Sequence, residues 1–285
     1  MSDTGICLTD QQWQQIQQTV HDEAHKARVA ARFLPLYGPL PLDAETVPAQ
    51  DLKAEDHEHH WRLHIDESAT LRITTIAVNV HLNSKQMAQP DLMRALTLFR
   101  RAANIIARVE DAMIFQGAEG KSVVHPPVYK VTGGTPERGL LVPPEGPRIK
   151  TGQELVAAIA RGITILEDQG YLAPYALALG DDLFVAAETP DKDSLVLPSD
   201  RIRPLIEGPL VRTGTLPPHA GVLVSLPANL VEIVVATDIG VRFLQVTTEP
   251  KYVFRVSERF VLRIKDPGAI LQIPSPPATK SKSAR

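Results

Sequence analysis

Between Asp91 and Phe115 (DLMRALTLFRRAANIIARVEDAMIF) apolar residues recur at every third or fourth position. Leu92, Leu96, Phe99, Ala103, Ile106, Val109 and Met113 line one side of a helix, and Leu98, Ala102, Ile105 and Ala112 broaden it. Arg94, Arg100, Arg101, Arg108, Glu110 and Asp111 give that side polar edges. Pro90 suits the first turn, where a missing N–H costs nothing, and Gly117 is the expected stop. About 25 residues at ~1.5 Å each make a rod of nearly 40 Å, twice the usual ~11–12 residues. A helix this long, with so wide an apolar side, must lie across a large sheet or layer. It is the spine of the predicted fold.

Upstream, Thr9 is placed to cap a helix from Asp10 to about Ala31. Its apolar stripe (Trp13, Ile16, Val20, Ala24, Ala27, Ala31) is thin, with glutamines over the remainder, as in a docking element rather than a core helix. Pro35, Gly38, Pro39 and Pro41 force an extended passage. Residues 42–70 are polar and acidic with weak apolar patterning, and 71–82 (LRITTIAVNVHL) read as a strand. After the spine, Gly117 to Pro147 is rich in Gly and Pro, with a hairpin expected between Val128–Val131 and Leu140–Val142. Thr151 opens a second helix, with Glu154 at the reciprocal capping position and Gly170 at its end. Tyr175–Leu179 suits a short buried strand. Short helices are expected at Leu183–Glu188 and Asp200–Ile206, separated by the loop Thr189–Ser194. From Leu210 to Ile273 alternation of period two predicts strands throughout.

Composition narrows the class. With 285 residues, 44% hydrophobic and 22% charged, the chain can bury the core of one large domain or two smaller ones. A net charge of −3 lacks the basic excess of a general nucleic-acid binder. One cysteine, Cys7, leaves no internal disulfide framework and fits a reducing compartment. The first 30 residues hold no signal-peptide core, and no apolar run approaches the ~18 residues of a membrane span, so a cytoplasmic protein is expected. The tail 274–285 (PSPPATKSKSAR) is disordered by composition.

Candidate chemistry is sparse. Asp56, His57, Glu58, His59 and His60, with His64 nearby, form the one metal-like patch; a zincin helix would need His at 61, where Trp61 stands, so a solvated loop is the expected reading and no metal is assigned. Gly117–Ser122 (GAEGKS) has two spacers where a phosphate loop has four, and it follows a helix rather than a strand. There is no GxSxG elbow, and Cys7 lies in an amino-terminal arm. Glu110 and Asp111 point about 100° apart on a helix and read as solvated or interface charges. No catalytic constellation emerges, and the chain is not expected to be an enzyme.

The order of elements resembles the HK97-type phage-capsid fold. Four stretches narrow it: Leu8–Trp13 (LTDQQW), Glu110–Gly117 (EDAMIFQG), Ala173–Gly180 (APYALALG) and Tyr252–Ile264 (YVFRVSERFVLRI). Gly38 and Pro39 also fall at a matching distance after Trp13. On these the chain is similar to family 1 encapsulins, the linocin-like shell proteins, over about residues 8–273. The resemblance implies an α+β fold with a long spine helix, an extended loop, an axial α/β lobe and a β-rich peripheral domain. It implies a lumenal helix and arm (1–40), extended loop and strand (41–82), peripheral domain with the spine (83–130), axial domain (131–220), peripheral β segment (221–273) and the tail (274–285).

The function implied is self-assembly into an icosahedral compartment that encloses a cargo enzyme, such as a dye-decolorising peroxidase or a ferritin-like protein, held by its carboxyl-terminal targeting peptide. By the same analogy Ile16, Val20, Arg32 and Phe33 would bind that peptide. Thr189, Asp191, Lys192 and Asp193 would line a five-fold pore. The partners expected are other copies of this chain and the cargo, with no membrane and no specific nucleic acid. Two features depart from relatives: Pro35 stands where many carry an acid, and the aromatic residue that stacks flavin is absent, so no cofactor is expected. A phage or prophage major capsid protein is the alternative on the same fold. The amino-terminal 40 residues, balanced in charge, favour the cargo shell over it.

Overall fold

The computed structural model describes residues 8–57, 60–117, 120, 128–134, 139–141, 148–190, 195–249 and 251–274. In chain order its elements are α1 (Asp10–Ala27), β1 (Leu36–Tyr37), β2 (Thr46–Pro48), β3 (Asp51–His57), β4 (His60–Asp66), β5 (Thr70–Arg72), β6 (Thr74–Asn83), α2 (Ser84–Met87) and α3 (Met93–Gln116). There follow β7 (Tyr129–Gly133), α4 (Gly152–Asp168), β8 (Tyr175–Leu179), α5 (Asp181–Ala187), α6 (Pro198–Ile206), β9 (Leu210–Arg212), β10 (Gly221–Ser225), β11 (Val231–Val246), β12 (Lys251–Ile264) and β13 (Ile270–Ile273).

The spine lies where its apolar side demands. A five-stranded sheet, ordered β1-β11-β12-β6-β7, has α3 and α1 on one face. Ile16 and Val20 of α1, Leu96, Phe99 and Ile106 of α3, and Val78, Val80, Phe254 and Val256 of the sheet share one buried cluster. Phe99 meets Phe254 edge-on at 5.5 Å, and Phe243 does the same at 5.4 Å, geometry that aromatic quadrupoles favour. A four-stranded sheet, β13-β10-β8-β9, carries α4 and α6 on its other side. Leu177, Leu179, Leu223 and Ile273 face those helices, while Ala176, Ala178, Val222 and Val224 join the spine's cluster. Both faces of β8 and β10 are thus covered, which is why neither strand has an exposed position.

Where the elements differ from sequence expectation, a tertiary partner decides. The first helix stops at Ala27 rather than Ala31 because Asp111 accepts the N–H groups of Val29 and Ala30, which then form a separate tight turn. Pro90 is not in the first turn of α3: the helix begins at Met93, after Leu92 takes a left-handed φ of 50° and buries its side chain completely. Gly117 does end α3, with φ of 65° that any other residue would adopt at a cost. The expected 128–142 hairpin is absent from the described residues. β7 pairs with β6, and the N–H groups of Leu140 and Leu141 donate to the carbonyls of Ile114 and Phe115; Val142 lies outside the described residues. At α4 only half of the capping box forms: Thr151 accepts from Glu154 N–H, but the Glu154 carboxylate takes the N–H of Lys150 instead.

The acidic stretch 42–70 is an arm. Its root, β2 with β5, lies over the second face of the large sheet, where Val47 and Ile73 pack on Val234, Ala236 and Val261. Beyond the root, β3 and β4 pair only with each other in the described sheets, in register from Asp51↔Asp66 to His57↔His60. Gly38 shapes the approach: its φ is 134°, and a Cβ there would collide with the Val235 carbonyl.

Candidate functional site

Three surfaces could do work, and the first is the junction that fixes α1. Thr9 and Gln12 form a reciprocal capping box at its start, with Gln12 N–H to Thr9 Oγ1 at 3.2 Å and Thr9 N–H to Gln12 Oε1 at 3.0 Å. Gln12 Nε2 also donates to the Pro90 carbonyl at 3.2 Å, and Asn104 Nδ2 to Glu23 at 2.9 Å, so α1 runs alongside α3 in the same direction. At the far end the Arg28 guanidinium enters the core. Its Nε donates to Glu110 Oε2 at 2.6 Å, one Nη to Asp238 Oδ1 at 3.3 Å, and the other to Glu258 Oε1. Glu110 and Glu258 are fully buried, and Glu258 Oε2 has no hydrogen-bond partner. Burial drives both carboxyls upward from their ordinary pKa, Glu110 well above it, against the opposing pull of Arg28. One guanidinium facing two interior carboxyls is balanced when they hold a proton between them. Asp111, buried and bound by two backbone N–H groups, is pushed up to about 7 by desolvation. The reading of Glu110 and Asp111 as solvated or interface charges is therefore corrected: they are buried within the chain, as the anchors of α1.

The four residues expected to grip a cargo peptide do not form one surface. Ile16 and Val20 are wholly buried and offer no surface for contact, so any part they have in capture is to hold α1 in place. Phe33 is 9% exposed and stacks obliquely on Phe115 at 6.4 Å. Arg32 is exposed, donating to the Lys26 carbonyl at 2.7 Å. A groove of about 700 Å³ runs instead along the outer side of α1, over Trp13 and Ile239, walled by Gln11, Gln14, Gln18 and His21. The thin apolar stripe hinted at such a face; Ile239, supplied by β11, could not be placed from sequence.

The second surface is the arm. Across β3 and β4, Leu52 faces Ile65 and Ala54 faces Leu63, so these share one side of the ribbon. Leu63 is 76% exposed and Ile65 57%, an apolar face that none of the described residues covers. The third is a groove of about 450 Å³ on the sheet face opposite α1 and α3. Cross-strand register lines up Arg242, Arg255 and Asn79 in one row, Ser257, Ala77 and Lys130 in the next, and Arg259, Thr75 and Thr132 in the third. Among the described residues no carboxylate lies within ion-pair distance of Lys130, Arg242, Arg255 or Arg259.

Of the expected pore residues, Thr189 closes α5 by donating to the Val185 carbonyl at 2.7 Å, while Asp191, Lys192 and Asp193 lie outside the described residues. The side chains of His57, His59 and His60, as well as Cys7 and the tail beyond 274, also lie outside them.

The architecture of long spine, extended arm, peripheral sheet and second lobe is that of HK97-type shell proteins. The virus-like particle of Pyrococcus furiosus superposes with a TM-score of 0.69 at 12% identity, covering 91% of this chain and 98% of that one. The SrpI encapsulin complex of Synechococcus elongatus gives 0.54 at 12% identity, over 85% of each chain, and the capsid of the myophage XM1 gives 0.58 at 16%, over 84% and 88%. Fold alone does not separate encapsulins from phage capsids; sequence does. Residues 4–261 match the family described as encapsulating protein for peroxidase, and the chain belongs to that family, the encapsulin shell proteins. The type 1 encapsulin shell protein EncA of Myxococcus xanthus is 26% identical over 286 residues, 96% of each chain. A diheme-cytochrome-encapsulin shell fusion protein of Kuenenia stuttgartiensis is 24% identical, over 93% of this chain and 73% of its own length.

Proposed function

We propose that this chain assembles with copies of itself into a closed icosahedral shell in the cytoplasm and encloses a cargo enzyme. The observation that carries the assembly is the arm. A two-stranded ribbon is marginal in water by itself, and this one exposes Leu63 and Ile65. A neighbouring subunit would cover them, and the acidic residues of the arm suit Lys130, Arg242, Arg255 and Arg259 of the groove on the sheet's second face. Closed symmetry lets one sequence satisfy both halves of that contact. Negative-stain electron microscopy is expected to show hollow megadalton particles for the wild type and unassembled subunits for Leu63→Asp with Ile65→Asp. Wild-type protein that stays monomeric at micromolar concentration overturns the reading.

The cargo follows from the family, whose description names peroxidase. A peroxidase, or a ferritin-like oxidase, would be held by an extended carboxyl-terminal peptide in the groove beside α1, where glutamine amides can pair with its backbone. Arg32 and Phe33 lie beyond the end of that helix. The lobe around α4 to α6 would form the axial domain, with the 189–194 loop at the five-fold axis. Repeated five times, Asp191 and Asp193 become rings that favour small cations, offset in part by Lys192. Changing both to Lys is expected to shift the ratio of cargo turnover on a cationic against an anionic substrate towards the anion. An unchanged ratio puts the entry route elsewhere.

A further inference from the structure

The spine helix carries a feature that the proposed arm contact and the groove beside α1 do not include. Arg94, Arg101 and Arg108 are all exposed and stand seven residues apart. A heptad returns to nearly the same side of a helix, drifting only ~20°, and rises ~10.5 Å. The three guanidinium groups therefore form a ladder about 21 Å long on a rigid rod. Arg100, also exposed, stands beside the middle rung. Among the described residues none of the four has a carboxylate within ion-pair distance, whereas Arg28, Arg212 and Arg263 all do. The helix's own acids are turned away: Glu110 and Asp111 are buried against Arg28 and the Val29–Ala30 backbone. Glu23 of the adjoining α1 is already engaged by Asn104.

Four uncompensated arginines on one face call for an anion from outside the chain, and the composition of the face says which. A protein partner would be expected to find aromatic or aliphatic anchors at the centre of its contact. Along the ladder the exposed apolar side chains are Met93 and Leu98, with Thr97 and Asn104 between the cations. Nucleic-acid interfaces are of this kind, polar and positively charged, and the arginine fork pairs with phosphate oxygens two at a time. The overall charge of −3 conceals the patch because acids are concentrated elsewhere: residues 42–70 hold eight acids against two Lys and Arg residues. We propose that the exposed face of α3 binds the phosphodiester backbone of single-stranded nucleic acid, without reading its sequence. Under the shell reading α1 and α3 face the lumen, so the strand would be held inside the particle. The location rests on that reading; the binding does not.

The test compares wild type with a variant carrying Arg94→Gln, Arg100→Gln, Arg101→Gln and Arg108→Gln, glutamine being a good helix former. Particles purified from expressing cells are treated with nuclease, and the protected nucleic acid is measured by extraction and ultraviolet absorbance. Wild-type particles are expected to retain protected nucleic acid, and the variant several-fold less at equal particle yield. Subunits, either dissociated or never assembled, are titrated with a fluorescein-labelled oligodeoxythymidine at low salt. The variant is expected to bind at least tenfold more weakly, with a log–log salt slope flatter by up to about 3, as four lost phosphate contacts on a single strand would give. Equal binding by both proteins, or none by the wild type, overturns the proposal. So does a folded variant that no longer assembles, which makes the ladder a subunit contact, or one that loses the cargo enzyme while keeping nucleic acid, which makes the partner an acidic protein. Failure of the shell reading is seen separately, as absence of wild-type particles while the titration still decides the ladder.

Discussion

Replacing Arg28 with Met is expected to cost about 3–5 kcal/mol and to free α1 from the body, because it removes one partner of a buried ion cluster and leaves the others in place. Arg28 joins Glu110, Glu258 and Asp238, residues from α3, β12 and β11. Without it, two interior carboxyls face each other with no cation, and a domain whose total stability is ~5–15 kcal/mol loses a large share of it. Particle yield should collapse and the thermal midpoint fall sharply. The cause is separable from lost packing. Adding Glu110→Gln and Glu258→Gln to Arg28→Met removes the stranded charges while keeping their volume, and should recover more than half of the loss. A triple variant no more stable than the single one shows instead that the guanidinium's shape matters, not its charge.

That cluster also shows what could be read from the chain and what could not. The spine was legible because a long helix buries one side on a sheet, and such burial writes a period into the sequence; Leu96, Phe99, Ala103 and Ile106 all lie in the core as their spacing requires. Strands β11 and β12 were legible for the same reason, through alternation. Partners were not. Arg28 looks like one more polar residue at the end of an amphipathic helix, and the acids it meets stand 82 and 230 residues away. Adjacent Glu110 and Asp111 look solvated until a second helix is laid against them. The failed 128–142 hairpin has the same origin, since alternation identifies β7 but not the strand it joins, β6, some 50 residues earlier. Of the candidate cargo site, Trp13 and the glutamines were visible as a weak face, but the groove exists only once Ile239 closes it. Family motifs drew attention to Glu110–Gly117; the structure supplies the physical reason for its first two residues, which anchor α1.

Raising the pH from about 5 to 8 is expected to loosen the same junction, and Asp111→Asn to remove part of that effect. Burial lifts the Asp111 carboxyl from an ordinary value near 3.8 to about 7, with the N–H groups of Ala30 and Val29 pulling the other way. Between those two values the folded chain holds a proton that the unfolded chain has released. Its contribution is therefore complete below the ordinary pKa, falls as the pH rises, and is gone above about 7. The shift corresponds to about 4 kcal/mol, the net of desolvation against the two N–H donors that favour the ionised form. Glu110 and Glu258 are displaced in the same direction by burial, so they add to the same decline. Hydrogen exchange along α1 should then be slowest in mildly acidic buffer and quicken towards pH 8. Because other titrating groups also contribute to the whole chain's pH dependence, the diagnostic quantity is the difference between wild type and Asp111→Asn. The asparagine keeps an oxygen for Val29 and Ala30 but cannot ionise, and its protection of α1 should change less between the two conditions. If wild type and variant follow the same pH profile, Asp111 is ionised throughout, held so by its two backbone donors, and α1 is anchored by fixed charges rather than by retained protons.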